Sequence, residues 1–191
     1  YRLSYDLKRS VGKVRMFYGN VGVLIKAWAY LKMLGSEGVR RTAALAVMNA
    51  NYVRKRLMNC GFDVPYGRDR PCKHEFVISL ARLRKETGVR ALDFAKALID
   101  RGLHPPTMYF PQVVQECLMI EPTESDSLRE IERYIEAMDE IRRLAYERPE
   151  EILNAPRRAS ITRVDESMAN RVLWLTWKIY EKQKGEKELK G

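Results

Sequence analysis

Apolar residues recur along this chain with two different periods, and the switches between them divide it. Val14, Phe17, Val21, Leu24, Trp28 and Leu31 fall at three- and four-residue steps, which predicts one face of a long helix ended by Gly35. Val39, Ala43, Ala46, Ala50, Val53 and Leu57 repeat the step in a second helix that ends at Gly61. A connection as short as Gly35 to Gly38 sets the two helices antiparallel, as a hairpin. Gly12, Gly19 and Gly22 are costly inside a helix, so the first one starts late or packs closely by its backbone.

The period changes after Phe62 to Pro71, a stretch with Pro65, Gly67 and Pro71 that reads as a loop. Glu75 to Leu80 is predicted to be a strand, Leu92, Ala95, Leu98 and Ile99 a helix closed by Gly102, and Thr107 to Phe110 and Glu116 to Glu121 two further strands. Ser127 and Glu130 have the spacing of a capping box, opening a helix with the stripe Leu128, Ile131, Ile135, Met138 and Ile141. The order β-α-β-β-α implies an α/β class: a mostly antiparallel three-stranded sheet covered by helices and preceded by the helical hairpin. Pro149 and Pro156 bracket a polar linker. Beyond it Met168, Val172, Leu175 and Ile179 predict an amphipathic helix, with Trp174 and Trp177 read as packing, and the charged end from Glu181 to Gly191 is expected to be disordered. Three units follow: residues 1–61, 62–148 and 149–191.

Composition narrows the function classes. No run of about 18 uncharged apolar residues is present, so no membrane helix is expected, and Lys26 and Lys32 interrupt the longest apolar stretch. A chain opening at Tyr1 lacks both an initiator Met and a signal-peptide layout, and reads as a piece of a longer polypeptide. Cys60, Cys72 and Cys117 form no CxxC, and only two histidines accompany them, so no metal site is expected and the thiols read as reduced, in a cytoplasmic protein. A net charge of +10 raises nucleic acid as a partner. Acidic residues are interleaved with the basic ones, however, and no RNA- or DNA-binding module is recognisable. A non-catalytic basic module for an acidic protein or nucleic acid stays as the alternative reading.

The most specific strings are His104-Pro-Pro-Thr-Met-Tyr-Phe-Pro111 and Leu118-Met-Ile-Glu-Pro-Thr-Glu-Ser125, in that order. With Ser10 to Asn20, Asn49 to Tyr52, Arg70-Pro71, His74-Glu75-Phe76 and Lys85 to Gly88, they resemble the C-terminal part of the glycine decarboxylase P-protein family, roughly from residue 5 to residue 160. The spacer Gln112 to Glu116 resembles the two-subunit form of that family, whose second subunit would end this way.

The resemblance implies the small domain of a fold type I enzyme dependent on pyridoxal 5'-phosphate (PLP). Such an enzyme releases CO2 from glycine and passes the aminomethyl group to the lipoyl arm of H-protein, together with the other P-protein subunit. It also implies what the chain lacks. The chemistry needs a Schiff-base lysine, a carboxylate facing the ring nitrogen and a phosphate cup, and the family's Asp-x-His-Lys-Thr string is absent, so the chain alone is expected to hold no PLP and to be inactive. Residues expected near substrate or cofactor are Tyr18 and Asn20 in the FYGN string, Arg70 as a fork for the glycine carboxylate, His74 and His104. Arg82 and Arg84, read as flanking a strand-to-helix loop, are candidates for docking an acidic partner. Glu121, Glu124 and Asp126 read as carboxylates favouring a helix N-terminus.

Overall fold

A computed structural model describes residues 8–12, 19–67, 69–171 and 175–188. Helix α1, Val21–Asn59, starts at Asn20, whose side chain accepts a hydrogen bond from the Val23 N–H. It leaves helical geometry at Gly35, where φ is 64° and ψ −177°, values that suit a residue without Cβ. The break is sharp. In a straight helix Tyr30 and Asn49 would stand about 28 Å apart, yet the Tyr30 hydroxyl reaches Glu124 and the Asn49 amide donates to the Thr123 carbonyl next door. The expected joint is therefore present, but its two arms do not bury one another. Trp28 is 64% exposed, and only Ala50, Val53, Arg54 and Leu57 of the whole helix are buried. Val14 and Phe17 lie outside the described residues.

Strand β1 (Phe76–Ser79) leads into α2 (Ala81–Thr87) and α3 (Ala91–Asp100). Strands β2 (Thr107–Met108) and β3 (Cys117–Ile120) then lead into α4 (Leu128–Glu147) and α5 (Pro149–Leu153). The sheet is antiparallel in the order β1-β3-β2, with Phe76 opposite Ile120 and Ile78 opposite Leu118, and these four buried side chains share one face. The second arm of α1, with α3, α4 and α5, closes over that core. Ile131, Ile135, Met138 and Ile141 fill it from α4, whose N-terminus carries the predicted Ser127–Glu130 box, whereas Leu128 in the first turn is exposed.

Four expectations need correction. Arg82 and Arg84, read as flanking a strand-to-helix loop, both lie within α2, which has a single buried side chain, Leu83, and so no periodicity to read. The polar linker after Pro149 contains α5, and Ile152 and Ala155 are buried in the same core as Ala50, Val53 and Leu57, so the core reaches past 62–148 at both ends. The final helix is interrupted: α6 spans Glu166–Arg171 and α7 Trp177–Glu188, so the expected disorder from Glu181 is helical instead as far as Glu188. Trp177 does not pack inward; it is 69% exposed and stacks on Tyr180 at 5.1 Å, while Trp174 and Val172 lie outside the described residues.

Candidate functional site

The end of the sheet where β3 leaves for α4 gathers His74, His104, Glu121, Glu124 and Asp126. Because β3 is the central strand, His74 before β1 and His104 before β2 arrive on its two sides, at the level of Glu121 and Pro122. His74 Nε2 lies 3.7 Å from Glu121 Oε1. His104 and Glu121 line a cavity of about 410 Å³ whose apolar wall includes Val53, Leu103, Ile120 and Tyr134. Burial pushes the Tyr134 phenol well above its ordinary pKa, and its hydroxyl has no hydrogen-bond partner among the described residues.

The three carboxylates read as helix-dipole partners each meet a separate group, and only Asp126 stands directly before the Ser127 N-cap of α4. Asp126 accepts from the Thr123 N–H at 2.9 Å, Glu121 faces His74 and Glu124 accepts from Tyr30. Glu130 caps α4, and its carboxyl is held below the ordinary range by hydrogen bonds from the Ser127 backbone and hydroxyl. Among the described residues no three His, Cys, Asp or Glu side chains are set to hold a metal ion.

Arg70 stands apart from this cluster, exposed in a turn where its N–H donates to the Gly67 carbonyl at 3.3 Å. Its loop is fixed to α1 by two residues. Asn51 both donates to the Cys72 carbonyl at 2.8 Å and accepts from the Cys72 N–H at 2.9 Å, and Arg54 donates to the Gly67 carbonyl at 2.6 Å. Asn20 serves as the N-cap of α1, and Tyr18 lies outside the described residues.

The two docking candidates differ. Arg82 is exposed and loosely paired with Glu86 at 3.8 Å. Arg84 is engaged, donating at 2.6 Å to Glu116, a buried carboxylate that also accepts from the Ala91 N–H at 2.7 Å and so fastens α2 to the start of α3. A second buried carboxylate, Asp93, pairs with Arg163 at 2.6 Å across seventy positions of sequence. Neither pairing is visible as a motif, because the partners are distant in the chain. The one signal is an acid in a strongly apolar setting: Asp93 between Leu92 and Phe94, Glu116 before Cys117-Leu118.

A small α/β domain with a three-stranded antiparallel sheet and a long entering helix is thus the class the fold defines. The family model described as glycine dehydrogenase, C-terminal domain, matches residues 42–157. The chain is 47% identical over 189 residues to "Probable glycine dehydrogenase (decarboxylating) subunit 2" of Pyrococcus horikoshii, covering 97% of this chain and 37% of that protein. It is 50% identical over 171 residues to the protein of the same description in Halalkalibacterium halodurans, covering 90% of this chain and 34% of that one. The crystal structure of glycine decarboxylase (P-protein) of the glycine cleavage system, in inhibitor-bound form, shares the fold with a TM-score of 0.50 at 24% identity, over 59% of this chain and 24% of that one.

This chain belongs to the glycine dehydrogenase (decarboxylating) family and matches its C-terminal domain. It spans little more than a third of the length of the curated relatives it matches.

The family implies PLP, and the donor set at the sheet end does not fit it. No lysine lines the cavity, so no amine is placed there for a Schiff base, and Glu121, Asp126 and Glu130 would repel a phosphate that has Arg133 as its one guanidinium.

Proposed function

We propose that this chain forms the C-terminal domain of a PLP-dependent glycine decarboxylase, which releases CO2 from glycine and passes the aminomethyl group to lipoylated H-protein. The observation that carries the reading is identity of 47% across 97% of the chain to a protein described as a glycine dehydrogenase subunit. In this reading PLP is bound by the part of the enzyme that this chain does not span, together with the other subunit. The domain contributes positioning groups: Arg70 offers the substrate carboxylate a planar fork from a loop braced by Asn51 and Arg54. His74, Glu121 and His104 present a polar end of the sheet toward the same enzyme centre. No helix among the described residues is long and apolar enough to cross a membrane.

The test is exchange of labelled bicarbonate into the carboxyl carbon of glycine, by the longer polypeptide that carries this sequence, with its partner subunit and lipoylated H-protein. Label in glycine that depends on PLP and H-protein is the expected result. Exchange into another amino acid and not glycine would overturn the substrate, and no exchange with any amino acid would overturn the reading.

A further inference from the structure

The first arm of α1, residues 21–34, carries an apolar stripe that this chain leaves open. Val21, Leu24, Ile25, Trp28 and Leu31 are each more than half exposed, and at 3.6 residues per turn they share a face about 120° wide, interrupted at its C-terminal end by Lys32, which falls in angle between Val21 and Ile25. The arm meets the rest of the chain on its other side. Tyr30, which reaches Glu124, lies about 150° round the helix from the centre of the stripe, and the half-buried Leu34 is on that side as well. The domain's own body therefore contacts the arm from behind and leaves the stripe pointing away. Val23 and Met33, 57% and 78% exposed, extend apolar surface beyond the stripe. A helix apolar on more than one side belongs inside a larger structure.

Two further observations say which structure. The family's C-terminal domain model begins at residue 42, past the break at Gly35, so the arm lies outside that domain. The relatives' polypeptides extend far beyond what this chain spans, since 97% of it accounts for 37% of the Pyrococcus horikoshii protein. A second copy of the chain is the poorer occupant. Two arms roughly 21 Å long, laid side by side, would cover one face of each and leave Val23 and Met33, which lie off the stripe, in water.

We propose that the arm is a helix of the neighbouring domain of a glycine dehydrogenase polypeptide, seated in an apolar groove there by Val21, Leu24, Ile25, Trp28 and Leu31, with Gly35 as the boundary between the two domains. The proposal rests on the functional reading above, yet it is tested by a readout other than activity. Hydrogen exchange is measured on this chain and on the longer polypeptide. Amides of residues 21–34 exchange at least a hundredfold more slowly in the longer polypeptide, while those of Ala50 to Leu57 are protected in both. Trp28→Glu leaves the unfolding midpoint of this chain unchanged and lowers that of the longer polypeptide. Fast exchange of the arm in a longer polypeptide that still catalyses glycine exchange overturns the inference and spares the function. A protected arm in a polypeptide without glycine exchange does the reverse. A dimer of this chain by sedimentation, with the arm protected in that dimer, assigns the stripe to a second copy and overturns the proposal.

Discussion

Removing Arg163 should weaken the fold more than removing the charge it neutralises. Asp93 has no exposed surface, and its carboxylate has three anchors: the Arg90 N–H at 2.8 Å, the Arg163 guanidinium at 2.6 Å and, more loosely, the Arg90 side chain at 3.5 Å. Arg163 also donates to the Ala155 carbonyl at 2.8 Å, which brings the segment after α5 back onto α3. Arg163→Met leaves a carboxylate in the core with the Arg90 N–H and only the looser Arg90 side chain as a counter-charge. Breaking a buried pair in this sense costs about 3–5 kcal/mol. The Arg163 side chain is 32% exposed, so water follows into part of the vacated space, and about 2–3 kcal/mol is the expected loss. Asp93→Asn keeps an acceptor for the Arg90 N–H and lets Arg163 turn to solvent, at about 1–2 kcal/mol. The double variant should lose less than the sum, because the under-neutralised buried charge exists only in Arg163→Met. Urea unfolding followed by far-UV circular dichroism at pH 7 reads all three. An Arg163→Met variant within 0.5 kcal/mol of the parent, or strict additivity, would refute the buried-charge argument.

In the longer polypeptide Arg70→Lys should raise the KM for glycine by about 30-fold or more, the 2–4 kcal/mol of a lost charge-assisted fork, while its exposed position keeps folding unchanged; an unaltered KM assigns Arg70 to the surface. Arg82→Glu should leave stability intact and slow transfer to an acidic H-protein with a reduced salt dependence if α2 is a docking face, and a parent-like transfer rate removes that role. Arg84→Glu, by contrast, sets a second carboxylate against buried Glu116 and should lower the unfolding midpoint whatever α2 docks. Acid should destabilise the fold, because hydrogen bonds hold the carboxyls of Glu132 (from Tyr52, then Arg56) and Glu140 (from Arg101) below their ordinary value near 4.5. Groups depressed in the folded state contribute stability above the unfolded value and lose it as pH falls through the folded one. The urea midpoint should therefore drop below about pH 4.5 and less steeply in Glu132→Gln, and a midpoint flat from pH 7 to 3 contradicts the assignment.

The sequence was legible where a side chain's burial partner lies in the same chain. The stripe of α4 and the alternation of β1 and β3 reported their own core faces, and Ser127 with Glu130 marked the helix start because a capping box is local. Helices α2 and α5 escaped because one buried residue in each, Leu83 and Ile152, makes no period. The first arm of α1 was readable as apolar, but its periodicity says nothing of what covers it, and the expectation that the second arm would do so failed at Trp28. At the site, His74 and His104 were chosen from strings resembling a family; that Glu121 stands between them follows from β3 being the central strand, a long-range pairing no local pattern encodes. The same holds for Asp93 and Arg163.

If the proposed function holds, residues 1–191 can replace the C-terminal portion of a relative's glycine dehydrogenase subunit. Its most direct test is a chimera in which the matching C-terminal portion of the Pyrococcus horikoshii subunit is replaced by residues 1–191 and glycine–bicarbonate exchange is measured beside the parent, each with the same partner subunit, PLP and lipoylated H-protein. Exchange within about tenfold of an active parent, or a loss of no more than ~1.4 kcal/mol in transition-state stabilisation, is the predicted result. A folded chimera that binds PLP and its partner subunit but exchanges no label would contradict it.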